Sequence, residues 1–397
     1  MFDAFFWLVL PVAVLEAVRI ARSERKRQRR SLSAALAYGG LELVLLGLCA
    51  ATSSPILLLG LIVTRVLVVR TRERQWWGRG LIKAMLHGTA MLLLVLPGRV
   101  YSFADLSHAP LDSTWRLVIL TLVCVACAVA ILPVHVSDEP KETLAAPVAF
   151  VVFARVAIPL GDSVPQFAVV VPIVAAVLSL VCALWLLSAG ARANHFEPST
   201  LVSEIVVCER GVVLSFVWLG LASGEHLAGV GALLEWWSGA LALLALEASL
   251  RRRPLPKPMA FFALAMAVSL PGTMGFVAED LLAHGLLELR PLLAAAFVGV
   301  AAINAAALYL AIVNIIVDLR AERHQQHQQS LSYLALQPEE RPSFMMLGAG
   351  GLSLLIGLLP RPFVATATDA HVAIVHNPHV AGPHGSDPHG SDPVLPP

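Results

Sequence analysis

Ser269-Leu-Pro-Gly-Thr-Met-Gly-Phe-Val-Ala-Glu279 lies inside an apolar run from 259 to 289. That run exceeds what one straight crossing of the ~30 Å hydrocarbon layer needs, about 20 residues. Pro271 and Gly272 interrupt it, and a carboxyl pair, Glu279-Asp280, follows. Pro and Gly inside an apolar helix free backbone groups that only protein or water can then satisfy. The stretch therefore reads as a broken membrane helix with an acid beside the break. An ordinary proline kink would give the same interruption without a role in ion movement.

The rest of the chain agrees with a membrane setting. Its 397 residues are 57% hydrophobic and only 14% charged, against about 25% charged in a soluble domain. A soluble globular enzyme is thereby excluded. The formal net charge is +1, so no basic excess exists to attract nucleic acid. Five cysteines with no extracellular spacing pattern imply no disulfide framework. Met1-Phe2-Asp3 brings no positive charge ahead of the first apolar run, which reads as a retained helix, not a cleaved signal peptide.

Length and apolarity predict an all-α polytopic membrane protein with about twelve transmembrane helices: 4–21, 33–52, 54–69, 81–98, 115–136, 145–160, 167–190, 205–223, 229–249, 259–289, 291–317 and 344–362. Two spans are broken. The fifth breaks at Leu132-Pro133-Val134-His135 and the tenth at Pro271-Gly272. Broken helices in corresponding positions of two halves point to an ion or substrate path. With Met1 outside, the loops 22–32, 70–83, 137–144, 191–204, 250–258 and 318–343 hold 20 Lys plus Arg, whereas the outside segments hold three, Arg99, Arg290 and Arg361. Positive charge collects on the cytoplasmic side, so both termini are expected outside. The run Arg22–Arg30 also suits contact with anionic lipid headgroups. The tail 369–397 repeats Pro-His-Gly-Ser-Asp and carries His371, His376, His379, His384 and His389. Its composition predicts disorder. Histidines at this density also suit weak transition-metal binding, with no spacing that fixes a geometry.

Ionisable side chains at membrane depth are costly and mark a path, a pair or an interface. Glu279 is the strongest candidate by position, with Glu235 and Glu209 in neighbouring spans. The competing reading of Glu279 is a structural ion pair with an intramembrane base such as Arg65 or Arg155. His135 can relay protons near neutral pH. Glu16 and Arg19, three apart on one helix face, suit a local pair. Cys124 and Cys127 form a C-x-x-C, but in an apolar helix without a βαβ context they read as packing residues. No phosphate-binding loop, dinucleotide fingerprint, iron–sulfur or zinc motif is present. No cofactor, metal or catalytic centre of the chain's own is therefore expected.

The 269–279 stretch resembles the Leu-Pro-Gly-Thr-x-x-Phe-x-Gly-Glu signature of antiporter-like membrane subunits. These comprise the M-type subunit of bacterial complex I (NADH-quinone oxidoreductase), Mrp-type cation/proton antiporters and hydrogenase membrane subunits. Leu132-Pro133-Val134-His135 resembles the family's Phe-Pro-x-His, Ala146-Pro147 its Ala-Pro, and Gly357-Leu-Leu-Pro-Arg-Pro362 its Gly-Leu-x-Pro-x-Pro ending. Gly231-Ala232 and Ser238-Gly239 fall where the family has Gly-Ala and His-Gly. The likeness covers roughly 33–365, with the family's first two helices missing. It implies two inverted five-helix repeats, each with one broken helix, at 33–160 and 167–317. They are flanked by a first helix and basic cytoplasmic loop at 1–32, a cytoplasmic loop and last helix at 318–365, and the tail at 369–397.

The chain departs from the family where protons move. Arg65 stands at the family's helix-five Glu, Ala128 at its helix-seven Lys, and Pro159 or Leu160 at its helix-eight Lys, with Arg155 one turn earlier. Glu279 alone survives, at the helix-twelve position. An arginine holds its proton too firmly to relay it, so the first half-channel is expected to be degenerate. The resemblance implies a proton-conducting subunit of an NADH-quinone oxidoreductase, Mrp or related complex in the inner (plasma) membrane. The alternative is a non-conducting scaffold subunit of such a complex. Expected partners are other membrane subunits, the lipid bilayer and a soluble subunit, either a redox arm or a zinc-containing partner for inorganic carbon uptake.

Overall fold

The structure, a computed structural model, describes residues 4–28, 32–72, 79–132, 146–192, 198–250, 257–329 and 344–375. Helices carry the fold, and no strand occurs among the described residues. The first half contains α1 (Ala4–Gln28), α2 (Leu32–Ala51), α3 (Pro55–Arg72), α4 (Arg79–Val95), a short 3-10 helix (Phe103–His108), α5 (Ser113–Ile131) and α6 (Pro147–Val152). A π-helical turn, Phe153–Ala157, joins α6 to α7 (Ile158–Gly161). The second half contains α8 (Phe167–Ala191), α9 (Pro198–Ala222), α10 (His226–Leu250), α11 (Lys257–Ala267), α12 (Met274–Leu289) and α13 (Pro291–Gln329), followed by α14 (Phe344–Leu358) and α15 (Arg361–Val375).

Seven of these helices are long and apolar enough to cross a membrane, or eight if α14 and α15 form one bent span. Four shorter apolar helices lie at Pro55–Val68, Leu81–Val95, Pro147–Gly161 and Pro258–Ala267. The molecule is a multi-pass membrane protein by this measure. Its outer surface confirms the solvent it is built for. On α8, Val169, Val170, Ile173, Val174, Val177, Val181 and Leu184 form an exposed apolar stripe at helical spacing. Opposite it, Val171, Ala175, Cys182, Ala183 and Leu186 are buried. Apolar side chains outnumber polar ones on both faces because one meets protein and the other meets hydrocarbon.

At the centre stands α10, with 94% of its span buried. Its neighbours are brought close by small residues, since without a hydrophobic drive in lipid the packing itself holds helices together. A Cβ on Gly231 would stand 2.6 Å from Leu282 N, so α10 and α12 approach backbone to backbone. Trp236 stacks on Phe150 at 4.0 Å between centroids, and the Trp237 indole N–H donates to Leu8 O at 2.5 Å. The N-terminal helix is thereby fixed against the core. Both tryptophans pack inside the chain; Trp76 and Trp77 lie outside the described residues.

Three features differ from the sequence reading. The last span, expected over 344–362, stops at Leu358. Pro360 cannot continue the helix, Pro362 sits in the first turn of the next one, and the axis turns 87° into α15. The tail expected to be disordered from 369 is therefore helical to Val375, and α15 buries Ala367, Ala370, His371 and Ile374. Likewise α13 runs on to Gln329, into the stretch assigned to a loop from 318. The fifth span does end before a proline: Leu132, its C-cap, is extended (φ −60°, ψ 130°), as a residue preceding Pro prefers. Pro133 and His135 themselves lie outside the described residues.

Candidate functional site

The break in the tenth span is built from residues 268–273. Leu270 N–H reaches back to Ala265 O at 3.0 Å, and the backbone turns through positive φ at Ser269 (+52°) and Gly272 (+92°). Gly272 takes this conformation without a Cβ penalty, whereas Ser269 is strained there. Thr273 then caps α12: its Oγ1 accepts from Phe276 N–H at 3.4 Å and its hydroxyl donates to Leu270 O at 2.8 Å. Pro271 and Gly272 thus end one helix and Thr273 starts the next. The Ser269 hydroxyl hydrogen-bonds Glu279, half-buried on α12. The adjacent Asp280 faces outward and pairs with His284 at 3.3 Å on the surface.

Two further carboxyls face this one from α9 and α10. Glu235 is buried and accepts from the Ser238 hydroxyl at 3.1 Å. Glu209 is buried and accepts from the Asn304 Nδ2–H at 2.8 Å, on α13. The Asn304 Oδ1 is buried with no hydrogen-bond partner among the described residues. Glu279 acts electrostatically on both Glu209 and Glu235, and Glu209 acts on Glu235. Among the described residues, no Lys, Arg or His forms an ion pair with any of the three. Among these residues the donors that serve the acids are neutral. Such a set can take up and release protons.

The bases expected as rival partners of Glu279 are engaged elsewhere. Arg65 pairs with Glu42, its Nη2 2.5 Å and its Nε 2.6 Å from Glu42 Oε1, both residues buried. Arg155 sits in the π-helical turn, donates to Ala50 O at 3.1 Å and lies 4.6 Å from the Phe5 ring centroid. The structure therefore brings Glu209, Glu235 and Glu279 together and keeps Arg65 and Arg155 apart from them. Glu16 and Arg19 pair at 2.8 Å as their spacing suggests, with Glu247 3.9 Å away. Cys127 donates to Ala149 O at 3.6 Å and lies 3.9 Å from His87.

Sequence reasoning missed Glu42, Asn304 and Ser269 as partners. Asn304 carried a usable signal, as one of two amides, with Asn314, in the apolar span 291–317. Glu42 and Arg65 carried one too, an acid and a base in adjacent spans, each costly alone.

No protein-family profile matches the chain, and no curated protein matches it in sequence. Solved structures do. A chain of respiratory complex I from Thermus thermophilus, with bound NADH, superposes with a TM-score of 0.66 at 20% identity, over 94% of this chain and 84% of that one. A chain of the Mrp complex from Dietzia sp. DQ12-45-1b gives 0.65 at 16% identity, over 95% and 84%. A chain of the membrane-bound sulfane sulfur reductase, an archaeal respiratory membrane complex, gives 0.60 at 14% identity, over 89% and 64%. The fold expected from the 269–279 stretch is thus the fold that chains of these membrane complexes share.

Proposed function

We propose that this chain is a membrane subunit of an ion-translocating complex, in which the second half handles protons and the first half is closed. The observation that carries this reading is the set Glu209, Glu235 and Glu279, three acids at membrane depth served, among the described residues, by Ser238, Asn304 and Ser269. Acids placed inside a membrane without a compensating base mark proton relays. The break at Pro271-Gly272 leaves backbone groups for water to satisfy, which supports a wet approach to Glu279. In the first half, the Glu42–Arg65 pair fills the place where the resemblance puts a relay acid, and arginine does not exchange its proton. In the same reading the helices make twelve crossings in two inverted repeats, 33–160 and 167–317, in the inner membrane with both termini outside.

Other membrane subunits are the natural partners, because the structurally similar chains belong to multi-subunit membrane complexes. A soluble subunit, either a redox arm or a zinc-containing partner for inorganic carbon, would provide coupling. A second reading, a non-conducting scaffold, is favoured by one specific observation, the closed Glu42–Arg65 pair. Purification of the full chain from its native membrane, followed by mass spectrometry, should recover further membrane subunits in fixed ratio. In that complex Glu279→Gln should assemble normally and lose proton flux in liposomes. A chain that purifies alone overturns the subunit assignment, and a Gln variant with undiminished flux overturns the relay.

A further inference from the structure

Two histidines far apart in the chain meet at the edge of the bundle. His226, the first residue of α10, is exposed, and His371 on α15 is buried. Their Nδ1 atoms are 3.2 Å apart and the rings stand edge-on, at 69° with centroids 5.1 Å apart. The two positions are 145 residues apart, so no local helix geometry enforces the meeting. It depends on the 87° turn that lays α15 back across the end of α10. Gly229, one turn after His226, makes room for the His371 ring: a Cβ there would collide with it.

An imidazole pair can sit this close for two reasons. One ring can donate to the other, for which 3.2 Å is at the long end of the N–H range. Alternatively both lone pairs can converge on one ion. Zinc binds His nitrogen at about 2.0–2.1 Å with tetrahedral angles, which puts two ligand nitrogens about 3.3–3.4 Å apart. The observed separation is close to that value. His226 opens the position to water, as an entry path requires. Immediately beyond α15 the sequence supplies His376, His379, His384 and His389. Among the described residues no third His, Cys, Asp or Glu joins the pair, so water completes the coordination, and imidazole suits zinc, copper and nickel.

We propose that His226 and His371 form a binding site for a divalent transition-metal ion that clamps α15 to the start of α10. The ion ties the end of the chain to the helix that carries Glu235. Both Nδ1 atoms act as ligands, so each imidazole is neutral at that nitrogen when the ion is bound.

The test uses the full chain without an affinity tag, in detergent, titrated with zinc by calorimetry. A background in which His376, His379, His384 and His389 are all alanine isolates the pair from the tail. That background should bind one zinc per chain. His226→Ala in it should weaken binding at least tenfold, and since His226 is exposed the variant should fold. Zinc should also slow hydrogen exchange across Arg361–Val375 in the background and not in His226→Ala. His371→Asn should reproduce both effects. No zinc binding in the background, or binding and exchange protection unchanged by His226→Ala, overturns the site and leaves a plain imidazole–imidazole contact.

Discussion

Glu42 and Arg65 show what an intramembrane charge costs when its partner is removed. Both are buried and bonded at 2.5–2.6 Å. Arg65→Leu leaves the Glu42 carboxylate unpaired away from water, a loss of about 3–5 kcal/mol. Replacing both with leucine removes the charges together and is close to neutral. Thermal unfolding in detergent should therefore show a large fall for Arg65→Leu and recovery in the Glu42→Leu/Arg65→Leu double variant. A double variant as unstable as the single would mean that other groups depend on the pair. Glu209, Glu235 and Glu279 differ in kind, because no base among the described residues holds them. Replacing any one with Gln removes no ion pair, so stability should change by less than for Arg65→Leu, and the effect should fall on proton movement.

Among the elements, the placement of α12 depends on two different demands on glycine, one at its break from α11 and one at its contact with α10. Gly272 needs its conformation, φ +92°, and a Cβ there would meet nothing within 4 Å. Gly272→Ala should cost about 1–2 kcal/mol through the backbone alone, and Gly272→Asn less, since Asn tolerates positive φ. Gly231 needs its space, with Leu282 N 2.6 Å and Ala278 O 2.8 Å from an added Cβ. Gly231→Ala must push α12 off α10, an overpacking cost of about 1–3 kcal/mol, and it should also displace Glu279 from Glu235. Melting temperatures rank the first pair. Flux separates the second effect, falling for Gly231→Ala and holding for Gly272→Asn. Much of this level was legible in the sequence, because length, apolarity and a Pro-Gly interruption are local signals. The π-helical turn at Phe153–Ala157 was not, since an evenly apolar run carries no period to betray it. Nor was α15. Its Thr, Asp and His residues blend into the polar tail, and only the packing of Ala367, Ala370, His371 and Ile374 distinguishes it. The pairing of Glu42 with Arg65 and of Glu209 with Asn304 needed three dimensions, because each joins different helices.

Over the whole molecule, the strong asymmetry of basic charge along the sequence predicts both termini outside. In a variant with all five cysteines replaced, single cysteines placed at 77 and 254 should react with a membrane-impermeant reagent only from the cytoplasmic side. One placed at 390 should react only from the outside. Reaction of position 390 from the cytoplasm alone would reverse the topology and the direction of any path. The division of labour between the halves is tested most directly by proton flux through the purified complex in liposomes. Three forms are compared: the wild type, Glu279→Gln, and the Glu42→Leu/Arg65→Leu double variant, each verified to be fully assembled. Flux should persist in the wild type and in the double variant and vanish in Glu279→Gln. Flux that survives in Glu279→Gln and vanishes in the double variant would place the path in the first half and contradict the assignment.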